Sequence, residues 1–180
     1  MNIPEEVTFE GSQALTQSLL TQIEAGEISQ PEAGEAIASL VKTENGARGF
    51  FVVYLTSEGS LADNPSPEII QALQASPDTV AELLVKNLAM SAAMAFIHRR
   101  DGNQEMARGS DRVKSRTISL IQKAELPQVT ELAAQLRESA LTGEGTYKTF
   151  LQRWQYNAEQ REIISQVLVD ILPTPQAEES

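Results

Sequence analysis

A chain of 180 residues, 41% hydrophobic and 22% charged, has the material for one packed core and the composition of an ordered globular domain. Its formal net charge of −11 sets the overall field against phosphate, which argues against nucleic acid or an anionic bilayer as partner. The absence of cysteine excludes disulfides and thiolate-ligated metal, and a single histidine excludes a site built on several imidazoles.

The first ten residues are acidic and contain proline, and they read as a flexible lead rather than a signal peptide. A helical domain is expected over 11–172. Leu15, Leu19, Leu20 and Ile23 recur at helical spacing, and Gly26 is placed to stop that helix. Ser29, Pro31 and Glu32 form a capping-box start for a second helix with Ala33, Ile37, Leu40 and Val41 on its apolar face, ended by Asn45-Gly46.

Residues 47–56, ARGFFVVYLT, carry the aromatic and β-branched composition of a strand. No second strand is evident to pair with it, so a short buried helix is the expectation; the alternative is a strand that pairs with another subunit. Residues 59–67 form a loop with two X-Pro steps and are a candidate hinge. Pro67 opens a helix with Ile69, Ile70 and Leu73, and Ser76-Pro77-Asp78 opens a long one. Its inward face is read as Val80, Leu83, Leu84, Leu88, Ser91, Met94, Ala95 and His98, with the small-residue stretch LAMSAAMA marking the packing centre. After Asp101-Gly102-Asn103, a helix turns Met106, Val113, Thr117, Leu120, Ile121 and Ala124 inward. Further helices follow Pro127 and run over 146–156, where Tyr147, Phe150 and Trp154 are read as core, and a last one carries Ile163, Ile164, Val167, Leu168 and Ile171. The tail, 173–180, is expected to be disordered. The fold class is therefore all-α, a single-core bundle of about seven to eight helices.

No window of some 18 to 20 residues runs apolar without a charge, so no membrane span is expected, and the cytoplasm is the expected location. Charge is unevenly placed: residues 86–123 hold eight of the fourteen Lys and Arg against three acidic residues. Arg108, Arg112 and Arg116 stand at i, i+4 and i+8, a one-sided basic ridge able to hold a phosphate, a carboxylate or an acidic segment, or else a face neutralised by local ion pairs. His98, with Arg99 and Arg100, is the weak candidate for catalysis or for a small anionic ligand, with Asp101 and Glu105 as orienting carboxylates. Ser110, Ser115 and Ser119 lack a nucleophile elbow, and Glu5-Glu6 and Glu178-Glu179 sit in chain ends where no fixed separation is available. No nucleotide or calcium motif occurs, so no cofactor is expected.

The runs ARGFFVVYLT, LADNPSPEIIQAL, LLVKNLAMSAAMAFIHRR and EMARGSDRVKSRT, between Arg48 and Arg116, resemble an uncharacterised family of conserved proteins from cyanobacteria. The resemblance implies no activity, cofactor or catalytic residue, and it implies a cytoplasmic, photosynthesis-related setting. The functional expectation is a non-enzymatic helical interaction, assembly or regulatory protein that uses the basic ridge for an acidic partner or anionic ligand. The alternative is an enzyme or sensor of a small phosphate or carboxylate at His98, Arg99 and Arg100. A homodimer through residues 47–56 or the LAMSAAMA helix is compatible with either.

Overall fold

In the computed structural model, which describes residues 2–174, the chain folds into nine helices with no strand among the described residues: α1 (Phe9–Glu24), α2 (Gln30–Leu40), α3 (Glu44–Thr56), α4 (Pro67–Gln74), α5 (Pro77–Arg100), α6 (Gln104–Ala124), α7 (Gln128–Thr142), α8 (Lys148–Arg153) and α9 (Ala158–Val169). The expected tail falls largely outside the described residues.

Local chemistry sets most of the starts. The side chains of Thr8, Thr43, Ser66, Asn103 and Asn157 each accept from a backbone N–H of the first turn that has no partner within the helix. Ser29 and Glu32 close the capping box expected of them. At α5 the start relies on Pro77, since the Ser76 hydroxyl makes no capping bond. Two expectations at the N-terminal end need correction. Val7 is buried and Thr8 caps α1, so the lead joins the fold before residue 10. Asn45-Gly46 does not end α2; α2 stops at Leu40, and Thr43 has already capped α3, whose first turn contains Gly46.

Residues 47–56 are helical. Lacking a strand to pair with, this stretch satisfies its hydrogen bonds internally and still buries Phe50, Phe51, Tyr54 and Leu55. The helix lies close against α1 because Gly49 removes a side chain from the contact, while Gly46 does the same where the start of α3 meets the end of α2. A Cβ on Gly49 would stand 2.6 Å from Ser12 Cβ and 2.7 Å from the Phe9 carbonyl oxygen. The Ser12 hydroxyl uses that proximity to donate to the Gly46 carbonyl at 2.6 Å.

One continuous apolar core runs through the bundle, and α5 is its axis. α5 packs along α6, with which it forms a hairpin, and also against α7 and α9; α2 packs on α4, and α3 reaches α5 and α6. α5 has the length and apolar content of a membrane span by composition, with a mean hydropathy of 1.6 over its most apolar 18 residues, although Glu82 and Lys86 interrupt it, as the absence of a charge-free window led one to expect. Much of that apolar surface goes into the bundle: Val80, Leu84, Leu88, Ala92 and Ala95 are buried. Three expected core residues are on the surface instead: Met94 (37% exposed), Met106 (52%) and Trp154 (51%).

Gly49→Ala should lower unfolding stability by about 2 kcal/mol, the usual cost of forcing a methyl group into a packed contact. Urea denaturation measures it, and an unchanged midpoint would contradict the close approach of α1 and α3.

Candidate functional site

The three arginines of the expected ridge have three different fates. Arg116 is turned into the protein and is only 3% exposed. Its Nε donates to Asp63 Oδ1 at 2.7 Å, Nη1 donates to the carbonyls of Leu55 (3.1 Å) and Ser57 (2.7 Å), and Nη2 donates to the Gly59 carbonyl at 3.0 Å. Four of the five guanidinium N–H groups are thus committed within the chain, so Arg116 cannot serve as the ligand contact expected of it. Arg112 is partly exposed and meets Glu58 at 3.4 Å, a carboxylate whose side chain is 90% exposed. Arg108 is exposed and makes no ion pair among the described residues.

The reason Arg116 points inward lies in α3. The last turn of a helix leaves carbonyls without intrahelical partners and carries the negative end of the dipole. The end of α3 is followed by a loop whose carbonyls also need donors, and Arg116 supplies them from the neighbouring helix. The segment expected as a hinge is thereby tied at several points: Ala62 is fully buried, and the Tyr54 hydroxyl donates to the Leu61 carbonyl at 3.2 Å. Burial drives the Tyr54 phenol well above its ordinary pKa. The hydrogen bond from Arg116, aided by its charge, holds the Asp63 carboxyl below the usual range. Asp63 is itself 56% exposed, so solvent weakens this attraction, and the three carbonyl bonds account for most of the hold on Arg116.

At the His98–Arg100 corner both arginines meet carboxylates. Arg99 pairs with Asp111, which also lies 3.5 Å from Lys114; Arg100 lies between Asp101 at 3.5 Å and Glu159 at 3.4 Å. Each of the two cations already faces a carboxylate. Of the two acids expected to orient His98, Asp101 is thus engaged with Arg100, and Glu105 lines a groove on α6. Lys86, further back on α5, is also committed. It binds Glu82 at 2.7 Å and lies over the rings of Tyr147 and Phe150, while the Tyr147 hydroxyl donates to Glu82 at 2.7 Å. Burial, reinforced by that bond to Glu82, raises the Tyr147 phenol far above its ordinary pKa.

Among several concave features of similar size, the most apolar lies between α3, α5 and α6, away from these ion pairs. It is a groove of about 480 Å³, walled by Phe51, Val52 and Leu55 on one side and by Met90 and Met94 on the other, with Met106, Gly109 and Val113 along α6. Arg112 and Glu105 are its charged members. Val52 (45%), Met94 and Met106 are half of the large apolar side chains exposed on the described surface, and all three are here. Sequence reading missed this site because helical periodicity sends Met94 and Met106 inward. The available signal was that three of the chain's four methionines fall between residues 90 and 106. Asp63, the acid that Arg116 meets from 53 residues away, had no local signal at all.

The buried arginine predicts a stability effect. Arg116→Lys keeps the charge but not the planar fork, and leaving two or three carbonyls unsatisfied should cost about 2–4 kcal/mol in urea unfolding. Because the folded Asp63 pKa is lowered, its contribution is present above the ordinary carboxylate range and fades as pH falls through the folded value. The stability gap between wild type and Asp63→Asn should therefore narrow on acidification below about pH 4, the ordinary carboxylate range; a gap that widens there would contradict the pairing.

No curated protein and no solved structure matches this chain. One family model does, over residues 8–171, nearly the whole described fold. With α1 to α9, the buried Arg116 and the groove all inside that span, the chain belongs to the family described as Uncharacterised conserved protein UCP020893.

Proposed function

We propose that this is a non-enzymatic helical interaction or assembly protein, and that its contact face is the groove between α3, α5 and α6. The observation that carries this reading is the concentration of Val52, Met94 and Met106, all exposed, in one concave apolar site. Apolar side chains scattered singly on a surface need no explanation, whereas a contiguous set in a groove marks a place where water is meant to be displaced. Methionine suits such a site because its unbranched, polarizable side chain adapts to an incoming surface.

The occupant that fits is an α-helix with an apolar ridge and a carboxylate beside it. The groove follows α6 for about two turns, from Glu105 to Val113, a span that the helix-in-groove mode can use, and Arg112 in its lining offers a fork to a carboxylate. Glu58, solvated and at 3.4 Å, competes for that fork only weakly. Arg108, one turn away, adds charge of the same sign. The basic ridge of the sequence is retained in reduced form: Arg108 and Arg112 are the contact cations, and Arg116 is structural. A cytoplasmic, cyanobacterial setting, which the resemblance of residues 48–116 implies, is part of this reading. A small-anion enzyme or sensor at His98, Arg99 and Arg100 is the second reading: Arg100 stands between two carboxylates and Arg99 meets a half-buried one, whereas Arg112 meets a single, largely solvated acid.

Site-specific photo-crosslinking in cells tests the face. A benzophenone side chain in place of Val52 or Met106 should give a discrete adduct, and one in place of Leu141 or Trp154, exposed elsewhere, should not. Adding Arg112→Glu should reduce the groove adducts at least tenfold. Equal adducts at all four positions, or indifference to Arg112→Glu, would overturn the proposal.

A further inference from the structure

The helix that fills the groove is α6 of a second copy of the chain: we infer a two-fold, antiparallel contact of α6 on α6, centred on Gly109. This rests on the groove being an interaction face and identifies what occupies it.

The first argument is the glycine. Five glycines lie inside helices, and for four of them the fold supplies a use: a Cβ on Gly11, Gly34, Gly46 or Gly49 would come within 2.0–3.3 Å of a neighbouring atom. A Cβ on Gly109 would meet nothing within 4 Å. The interior of a 21-residue helix therefore carries a residue that destabilises it relative to alanine, without any neighbour in its own chain that requires the space. A backbone arriving from outside does require it, and Gly109 lies in the groove.

The second argument is charge. Glu105 and Arg112 both line the groove and lie on one face of α6, seven residues or about two turns apart, on either side of Gly109. In an antiparallel contact through Gly109, a residue a given number of positions after the glycine faces the residue the same number before it. Arg112, three positions after Gly109, then faces Met106 of the partner subunit. Glu105 of the partner subunit is the next residue along, about 1.5 Å further on the helix axis and within reach of the guanidinium, and the two-fold repeats the pair. Met106 comes opposite Arg112 and Val113 of the partner subunit, where its exposed thioether is covered. One surface thus supplies both halves of the match, as a two-fold contact demands. A chain of net charge −11 repels its own copies over most of its surface, and this face, where cations are gathered, is where that repulsion is weakest. Both segments named from sequence as candidate dimer contacts wall the same groove, through Val52 and through Met90 and Met94.

Sedimentation equilibrium on the purified full chain tests the inference, with circular dichroism to check folding. Wild type should be dimeric. Gly109→Leu, whose Cβ meets nothing within 4 Å in its own chain, should stay folded and become monomeric. Glu105→Arg and Arg112→Glu should each weaken association at least tenfold, by setting like charges opposite each other twice. Mixed one to one, the two monomeric variants should form a heterodimer, because both crossing pairs become opposite in sign again. A monomeric wild type would overturn the inference while leaving the contact face intact if the groove positions still crosslink to another protein. A dimer indifferent to Gly109→Leu, or single variants that fail to reassociate on mixing, would also overturn it.

Discussion

The groove depends on the burial of Arg116. α3 reaches α5 and α6 only along part of its length, and its last turn would otherwise end in unpaired carbonyls followed by a proline-containing loop. The guanidinium gathers the carbonyls of Leu55, Ser57 and Gly59 with the Asp63 carboxylate and fixes them to the middle of α6. A buried cation is costly unless its donors are satisfied, and here four of five are, largely by neutral carbonyls at a helix end whose dipole favours positive charge. The consequence is geometric. Leu55, one turn after Phe51 and Val52, is held against the same helix that carries Arg112 and Val113, so the α3 wall of the groove is set against its α6 side by one interaction.

Tight packing elsewhere lets that interaction act over a distance. Gly49 seats α3 on α1, Gly46 seats it against the end of α2, and α5 threads the core between α6, α7 and α9. The groove is what remains where α3 diverges from the α5–α6 hairpin. Val52, Met94 and Met106 are at the surface because no helix among the described residues covers them.

Much of this was legible in the sequence, in the places where local physics decides. The all-α class, the capping box at Ser29 and Glu32, the restart at Pro77 and the helical state of 47–56 follow from periodicity, capping chemistry and the need to pair backbone groups. The site was half legible. The charge segregation drew attention to α6, but an i, i+4, i+8 series does not reveal that its third member lies nearer the core, where distant carbonyls need donors. The same periodicity sent Met94 and Met106 inward, since an apolar residue facing a partner and one facing the core carry the same local pattern. Asn45-Gly46 was misread for a related reason: Gly46 serves close packing against the end of α2 and against α1, not a turn.

The central claim, that a second α6 closes the groove with Gly109 at the two-fold axis, can be read as a pair of distances. The chain has no cysteine, so a single nitroxide can be placed by Ser115→Cys or by Gln122→Cys, both at exposed positions of α6. With a rise of 1.5 Å per residue counted outward from the axis on both copies, pulsed dipolar spectroscopy should give about 20 Å for the first label and about 40 Å for the second. No dipolar coupling at either position, or a distance that fails to lengthen from Ser115 to Gln122, would contradict the account.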